Sequence, residues 1–276
     1  MSTQTLASWL RCPNCLSDLE ALDGLILGCA NGHRFDVNKR GYVSLLDFRS
    51  KIVGDSNDML DARSRVLERG TYAPIVDALA AGVGGRSPVR IFDAGTGTGY
   101  YLRSLLETHP TAAGLAMDIS PAAVSRAVRS TPMVDGLVAD TWSPLPVRDS
   151  AADVIVNVFA PRNLVEFQRV LTPDGILLVV VPRSNHLAQL RETGRMLDVP
   201  ADKAEALIDA ASDLFRLTQR TTVEFIVPVD ADLIQSLIAM GPAAHHRRDS
   251  LTGEDVNSDP ADVIVSVDVL TFTAQS

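Results

Sequence analysis

The sequence predicts an α/β fold: a doubly wound, mostly parallel sheet with a small metal-binding module in front of it. Three observations lead there. From Val89 onward, short β-rich runs alternate with helical stretches, the pattern of parallel strands joined by helical crossovers. The β-rich runs are continuously apolar, as strands covered on both faces are. All three cysteines, Cys12, Cys15 and Cys29, fall in the first fifty residues, apart from the alternating region.

Composition narrows the function classes. A chain of 276 residues can bury a sizeable core without disulfides, as one large domain or two unequal ones. With 46% hydrophobic and 21% charged residues, disorder is excluded. The net charge of −9 argues against a general nucleic-acid binder and against DNA; contact with RNA requires a local basic patch. One such patch exists. Arg34, Lys39, Arg40, Arg49 and Lys51 face only Asp36 and Asp47 across residues 34–51. The longest aliphatic run, Ile176 to Val181, is closed by Pro182 and is far short of the ~20 residues of a membrane span. The opening MSTQTLASWLRCP lacks a basic n-region and a long apolar stretch, so no signal peptide is expected. An uneven cysteine count points to a reducing, cytoplasmic setting.

The elements follow in order. Ser56 is placed to cap a helix carrying Met59, Ala62, Val66 and Leu67 on one face,. Gly70 ends it, and Pro74 fits the first turn of a second helix through Leu79,. VRIFDAG reads as a buried strand, then a glycine loop and a helix through Leu106. GLAMD is a second strand with PAAVSRAVRS as its helix; GLVAD is a third strand and ADVIVNVF a fourth. NLVEFQRVL is helical, and Thr172-Pro173-Asp174-Gly175 is expected to turn the chain into the strand ILLVVV,. Two helical stretches follow Pro182, then the strands VEFIVPV and DVIVSVDVLTF.

The metal signal is the spacing Cys12-x2-Cys15-x13-Cys29-x3-His33. Zinc takes four tetrahedral sulfur or nitrogen ligands, and two knuckles supply two each. Gly32 permits the tight second knuckle. All four positions are protein ligands, so one closed, structural Zn2+ per chain is expected. The plainer alternative is three buried thiols and an exposed histidine.

The second signal is the loop Asp93-Ala94-Gly95-Thr96-Gly97-Thr98-Gly99. A dinucleotide loop G-x-G-x-x-G wants glycine at 100, where Tyr100 stands, and no Lys-Ser/Thr pair makes a phosphate-binding P-loop,. Asp118 ends the second strand, placed to accept both hydroxyls of a ribose; Asp140 ends the third, placed to face an adenine amino group,. These carboxyl-end features together resemble the class I S-adenosylmethionine-dependent methyltransferases.

The whole chain also resembles the bacterial 23S ribosomal RNA (guanine-N1)-methyltransferases, a family that includes macrolide-resistance enzymes. The matching stretches are CPNC, CANGHRFDVNKRGYVSLL, GDSNDMLDARSRVLERGTYAPI, DAGTGTGYY, VFAP and PRSNHL. The resemblance implies Cys12, Cys15, Cys29 and His33 as zinc ligands, and Tyr72, Gly99, Tyr100 and His186 beside S-adenosyl-L-methionine. It implies methylation of a guanine N1 in hairpin 35 of 23S ribosomal RNA. It divides the chain into a zinc-binding RNA-recognition module (1–52), a helical linker contributing to the cofactor site (53–88) and a methyltransferase domain (89–276). Relatives tend to carry aromatic residues after Met240-Gly241-Pro242, where this chain has Ala243, Ala244, His245 and His246.

The segment Asn157-Val158-Phe159-Ala160-Pro161 follows the fourth strand, where such enzymes position the target nitrogen. Asn157, Phe159 and Pro161 are therefore the catalytic candidates, with core packing the alternative for Phe159. The basic stretch, with Tyr42, is the candidate RNA grip. Two other readings stay open: a small-molecule methyltransferase whose zinc module only stabilises it, and a zinc-bearing RNA-binding protein without catalysis. The oligomeric state is open, a homodimer included.

Overall fold

The computed structural model describes residues 2–46, 52–241 and 260–275. Within them the chain forms one sheet of eleven strands with helices on both faces. The first part contributes α1 (Thr3–Trp9), β1 (Glu20–Ala21), β2 (Ile26–Gly28), β3 (Arg34–Asn38) and β4 (Tyr42–Ser44). Two helices, α2 (Asn57–Glu68) and α3 (Ala73–Val83), lead into the alternating region. That region runs β5 (Arg90–Ala94), α4 (Tyr100–Thr108), β6 (Ala113–Asp118), α5 (Pro121–Ser130), β7 (Val134–Val138), β8 (Ala152–Val158), α6 (Leu164–Val170) and β9 (Leu171–Pro182). The rest is α7 (Ala188–Arg191), α8 (Lys203–Ala211), β10 (Phe215–Pro228), α9 (Ala231–Ala239) and β11 (Asp262–Ala274).

The strand order is β1-β2-β3-β4-β7-β6-β5-β8-β9-β11-β10. Its centre, from β4 to β9, is a parallel block, flanked by antiparallel pairs on both sides. Side chains of β9 alternate between two cores. Leu177, Val179 and Val181 join one face; Ile176, Leu178 and Val180 join the other. That is why the strand reads as an unbroken apolar run.

Local signals act as their chemistry predicts. The Ser56 hydroxyl accepts from the Met59 N–H and caps α2. Gly70 takes a left-handed φ of 73° just past its end, and Pro74 lies in the first turn of α3. One expectation fails. Thr172 to Gly175 is not a turn between elements, because β9 already pairs Leu171 with Ala152. The register then jumps to Ile176 opposite Val154, so the tetrad bulges out of a strand that keeps its direction. Pro173 has no N–H to give the ladder, and the bulge removes that demand.

The first 46 residues are not packed as a separate body. Tyr42 to Ser44 pair in parallel register with Gly136 to Val138. Leu6, Trp9, Leu10, Cys12 and Val43 share one buried cluster with Phe92, Leu115 and Ile155. Composition marks a boundary near residue 52, but the hydrophobic core passes through it.

Candidate cofactor cavity and metal centre

The cavity opens at the carboxyl ends of β5, β6 and β8 and has a volume of about 440 Å³, within the usual range for small-molecule sites. Of the sequence candidates, Tyr72, Gly95, Gly97, Tyr100, Asp118, Asp140, Phe159, Pro161 and His186 line it. Asp93, Gly99 and Asn157 do not; they hold its walls.

Asp93 is buried under the loop and accepts a hydrogen bond from the Thr96 hydroxyl at 2.7 Å. Burial pushes its carboxyl up to about 7. The glycines have distinct jobs. A Cβ at Gly95 would lie 2.3 Å from that of Ala160, and one at Gly99 would lie 2.7 Å from the Ala127 backbone. Both glycines allow close packing between elements. At Gly97 a Cβ would meet only the end of the Arg63 side chain, so this position faces the cavity. All three take positive φ, which glycine adopts without strain.

Asp118 receives the Gly97 N–H at 3.0 Å on one oxygen and the Ser120 N–H at 2.9 Å on the other. Each oxygen keeps a lone pair for a further donor, which suits a pair of ribose hydroxyls. Burial raises its pKa. Asp140 receives the Trp142 N–H at 2.9 Å, which fixes the turn after β7 and leaves a carboxylate at the cavity wall.

The opposite wall is aromatic. Tyr72, Phe159 and His186 form a triangle with ring centroids 5.8–6.2 Å apart. Phe159 has a left-handed φ of 53° and is 40% exposed. A strained, half-exposed phenylalanine at a cavity is not a core residue, which removes the packing alternative. His186 is buried and its pKa is pushed down to about 4 by that burial. Its Nδ1 accepts the Ser266 N–H at 3.2 Å, so the neutral ring carries its proton on Nε2. Asn157 is fully buried and donates 2.8 Å bonds to the carbonyls of Ala94 and Pro161. It ties the β8 loop to β5 and has no donor left for a ligand.

Sequence reasoning missed part of the lining. Arg63 of α2 crosses the glycine loop, pairs with Asp55 and donates to the Met240 carbonyl at 3.1 Å. Arg63 and Leu67, one turn apart on α2, both line the cavity,. The signal available was a cation beside the apolar stripe Met59, Ala62, Val66. Trp142, 66% exposed, also lines the cavity, and only its place two residues after Asp140 hinted at this.

At the other edge, the ligand atoms of Cys12, Cys15, Cys29 and His33 all lie within 4.8 Å of one another. The separations Cys12 Sγ to His33 Nδ1 (3.6 Å), Cys15 Sγ to Cys29 Sγ (3.6 Å) and Cys29 Sγ to His33 Nδ1 (3.4 Å) match a tetrahedral zinc site. Bonds of about 2.3 Å to sulfur and 2.0 Å to nitrogen put ligand atoms ~3.5–3.8 Å apart. Hydrogen bonding from the Asn31 side chain, then from Ser17, draws the Cys15 thiol down to about 5, favouring the thiolate that a metal needs. Arg34, Lys39 and Arg40 are exposed; Arg49, Lys51, His245 and His246 lie outside the described residues.

Comparison with known proteins agrees with this geometry. A zinc-ribbon family model described as "RlmA, N-terminal" matches residues 10–52, and one described as "Methyltransferase domain" matches residues 91–175. The crystal structure of an S-adenosylmethionine-dependent methyltransferase from Thiobacillus denitrificans, in complex with S-adenosyl-L-homocysteine, shares the fold. Its TM-score is 0.51 at 15% identity, over 81% of this chain and 100% of that one. The 23S rRNA (guanine(748)-N(1))-methyltransferase of Streptomyces fradiae is 39% identical over 248 residues, 88% of either chain. A Micromonospora griseorubida protein, provisionally named a 23S rRNA (guanine-N(1)-)-methyltransferase, is 39% identical over 256 residues, 86% of this chain and 87% of its own. With a Cys3His ribbon at one edge of the sheet and a methyltransferase cavity at the ends of its central strands, the chain belongs to the 23S rRNA (guanine-N1)-methyltransferase family.

Proposed function

We propose that this chain methylates N1 of a guanine in hairpin 35 of 23S ribosomal RNA, in the cytoplasm, with S-adenosyl-L-methionine as methyl donor and one structural Zn2+. The observation that carries the reading is the pairing in one molecule of the Asp118 and Gly97 cavity with the Cys12, Cys15, Cys29 and His33 cluster. Residues 1–52 recognise RNA, 53–88 complete the cofactor site, and 89–276 carry the transfer. Division of labour, not of packing, defines these three parts.

The residues fit the cofactor. Asp118 accepts the ribose hydroxyls, Gly97 gives room for the ligand, and Asp140 faces the adenine amino group. Tyr72, Tyr100 and His186 surround it, while Asp93, Gly95 and Gly99 keep the loop in shape. S-adenosylmethionine, when bound, supplies an electrophilic methyl on a positively charged sulfur. The leaving group is neutral, so the protein's work is alignment and exclusion of water. Phe159 packs on the guanine, and the backbone carbonyls of the segment ending at Pro161 orient its Watson–Crick edge. Asn157 acts by positioning that segment. The N1 proton must pass to a base or to water as the bond forms. His186 does not take it, because Nδ1 is occupied by the Ser266 N–H and Nε2 already bears a proton. N1 lies in the pairing edge, so the target guanine is unpaired or flipped out.

The test is incubation of the protein with methyl-labelled cofactor and a hairpin 35 transcript. Label should enter the RNA and depend on the intact cavity. Label found only in small molecules would replace this reading with that of a small-molecule methyltransferase.

A further inference from the structure

A second cavity, of about 410 Å³, lies against α5. Its lining includes Arg40, Tyr42, Asn57, Ser125, Arg126 and Arg129, and no carboxylate among the described residues. The groove joins parts far apart in sequence: Arg40 and Tyr42 come from the turn into β4, and the other two arginines from α5. Three guanidiniums without an acidic lining are unexpected in a chain of net charge −9. Arg126 is paired with Asp61 at 2.7 Å. Arg40 and Arg129 have no carboxylate partner among the described residues. Arg40 reaches the Ser125 hydroxyl at 3.4 Å, and Arg129 uses its Nε on the Ser125 carbonyl of its own helix at 3.0 Å. Neither contact uses up the planar donor fork that arginine offers an oxyanion. The first turn of α5, at Pro121 and Ala122, completes the lining, and its helix dipole adds positive potential there.

The groove adjoins the cofactor cavity. Asp55 and Ile119 line the cavity, while Asn57 and Pro121, two residues further along each segment, line the groove. A nucleotide chain with one base in the cavity can therefore lay its neighbouring phosphates in the groove. Arg34, by contrast, stands at the zinc end of β3, opposite Gly28.

We infer that this groove is a phosphate-binding subsite for the RNA backbone, with Arg40 and Arg129 contacting phosphates and Tyr42 available to stack on an unpaired base. The inference rests on the reading that the substrate is RNA. It differs from a grip confined to the zinc-binding part, because two of its three guanidiniums belong to a crossover helix of the methyltransferase core.

The test is the Arg40→Ala/Arg129→Ala double variant, compared with wild type for binding of a fluorescent hairpin 35 RNA across a salt series and for methyl transfer. Each phosphate contact contributes about 0.7–0.9 to the slope of log affinity against log salt. The variant's slope should fall by about 1.5, and its KM for RNA should rise about tenfold. Cofactor affinity, read by calorimetry, should match wild type and so certify the fold. A variant with wild-type slope and KM would overturn the groove while leaving RNA methylation standing. If the wild type binds the hairpin but transfers no methyl, and the variant's slope still falls, the groove stands and the proposed activity fails. Binding by neither protein would overturn both.

Discussion

The metal cluster and the cofactor cavity are built by opposite means. The Cys3His cluster uses side chains from residues 12–33 alone, held by two short knuckles. The cavity draws on residues from Ile52 to Gly241, and only its glycine loop is local. Spacing in the sequence therefore fixes the cluster almost completely. For the cavity it reveals the loop and the strand-end acids, but not what closes over them. The two regions are nevertheless joined in packing, because Cys12 is buried in the same core as Phe92 and Leu115.

That joint core yields the largest expected effect. Cys12→Ser removes one of the four proposed zinc ligands and places a hydroxyl in apolar surroundings. Structural zinc contributes on the order of 10 kcal/mol to its module, comparable to a whole domain's stability. Loss of the metal should lower the midpoint of the entire chain in urea. Far-UV circular dichroism and fluorescence of buried Trp9 should report one transition. Selective melting of the first 46 residues, with the rest keeping its wild-type midpoint, would show that the two regions are separate bodies.

The glycine loop sharpens the comparison next. Gly99→Ala drives a Cβ into the Ala127 backbone at a φ of 80° and should cost about 2–4 kcal/mol of stability. Urea denaturation reads this directly, and an unchanged midpoint would mean that α4 and α5 can separate. Asp118→Ala removes the acceptor of the Gly97 and Ser120 N–H groups, so it should lower the midpoint less than Gly99→Ala while weakening S-adenosylmethionine by ~1–3 kcal/mol, the scale of lost charge-assisted hydrogen bonds. Calorimetry giving wild-type affinity would remove Asp118 from the ribose.

The smallest effect is a pH slope within the cavity wall. His186 has a folded pKa of about 4, below its ordinary ~6.5. The unfolded chain takes up that proton first, so the contribution is full above pH ~6.5 and is lost as pH falls toward 4. Asp93, raised to about 7, has the reverse sign: the folded state takes its proton first, and stability grows as pH falls through 7. The two oppose each other between pH 7 and 5.5. His186→Asn should unmask the Asp93 term, so that stability rises by ~1–2 kcal/mol over that interval. A profile identical to wild type would show that His186 does not set the slope.

Much of the fold was legible because continuous apolar strands and capped helices are local signals. Ser56, Gly70 and Pro74 sit where capping chemistry predicts. The Thr172–Gly175 tetrad was misread because a four-residue bulge and a turn use the same residues, and only register against β8 separates them. Helix α9 was overlooked, and with it the Met240 carbonyl that receives Arg63. At the site, the contribution of Asp55, Arg63 and Trp142 depends on which face of α2 meets the loop and how the turn after β7 folds back. Those are tertiary facts with no spacing signature. The opposite holds for Asn157: read as following a strand, it suggested contact with substrate, but it lies within β8, paired with Val179, and its two backbone partners reveal a positioning role.

The reading that unites both regions is methyl transfer to one guanine of one RNA. Its most direct measurement is nuclease digestion of hairpin 35 RNA incubated with the protein and cofactor, followed by mass spectrometry of the fragments. The expected result is a single N1-methylguanosine in the hairpin, its yield at limiting cofactor reduced when Asp118 is replaced by alanine. A methyl group on another base, on another atom of guanine, or nowhere in the RNA would contradict it.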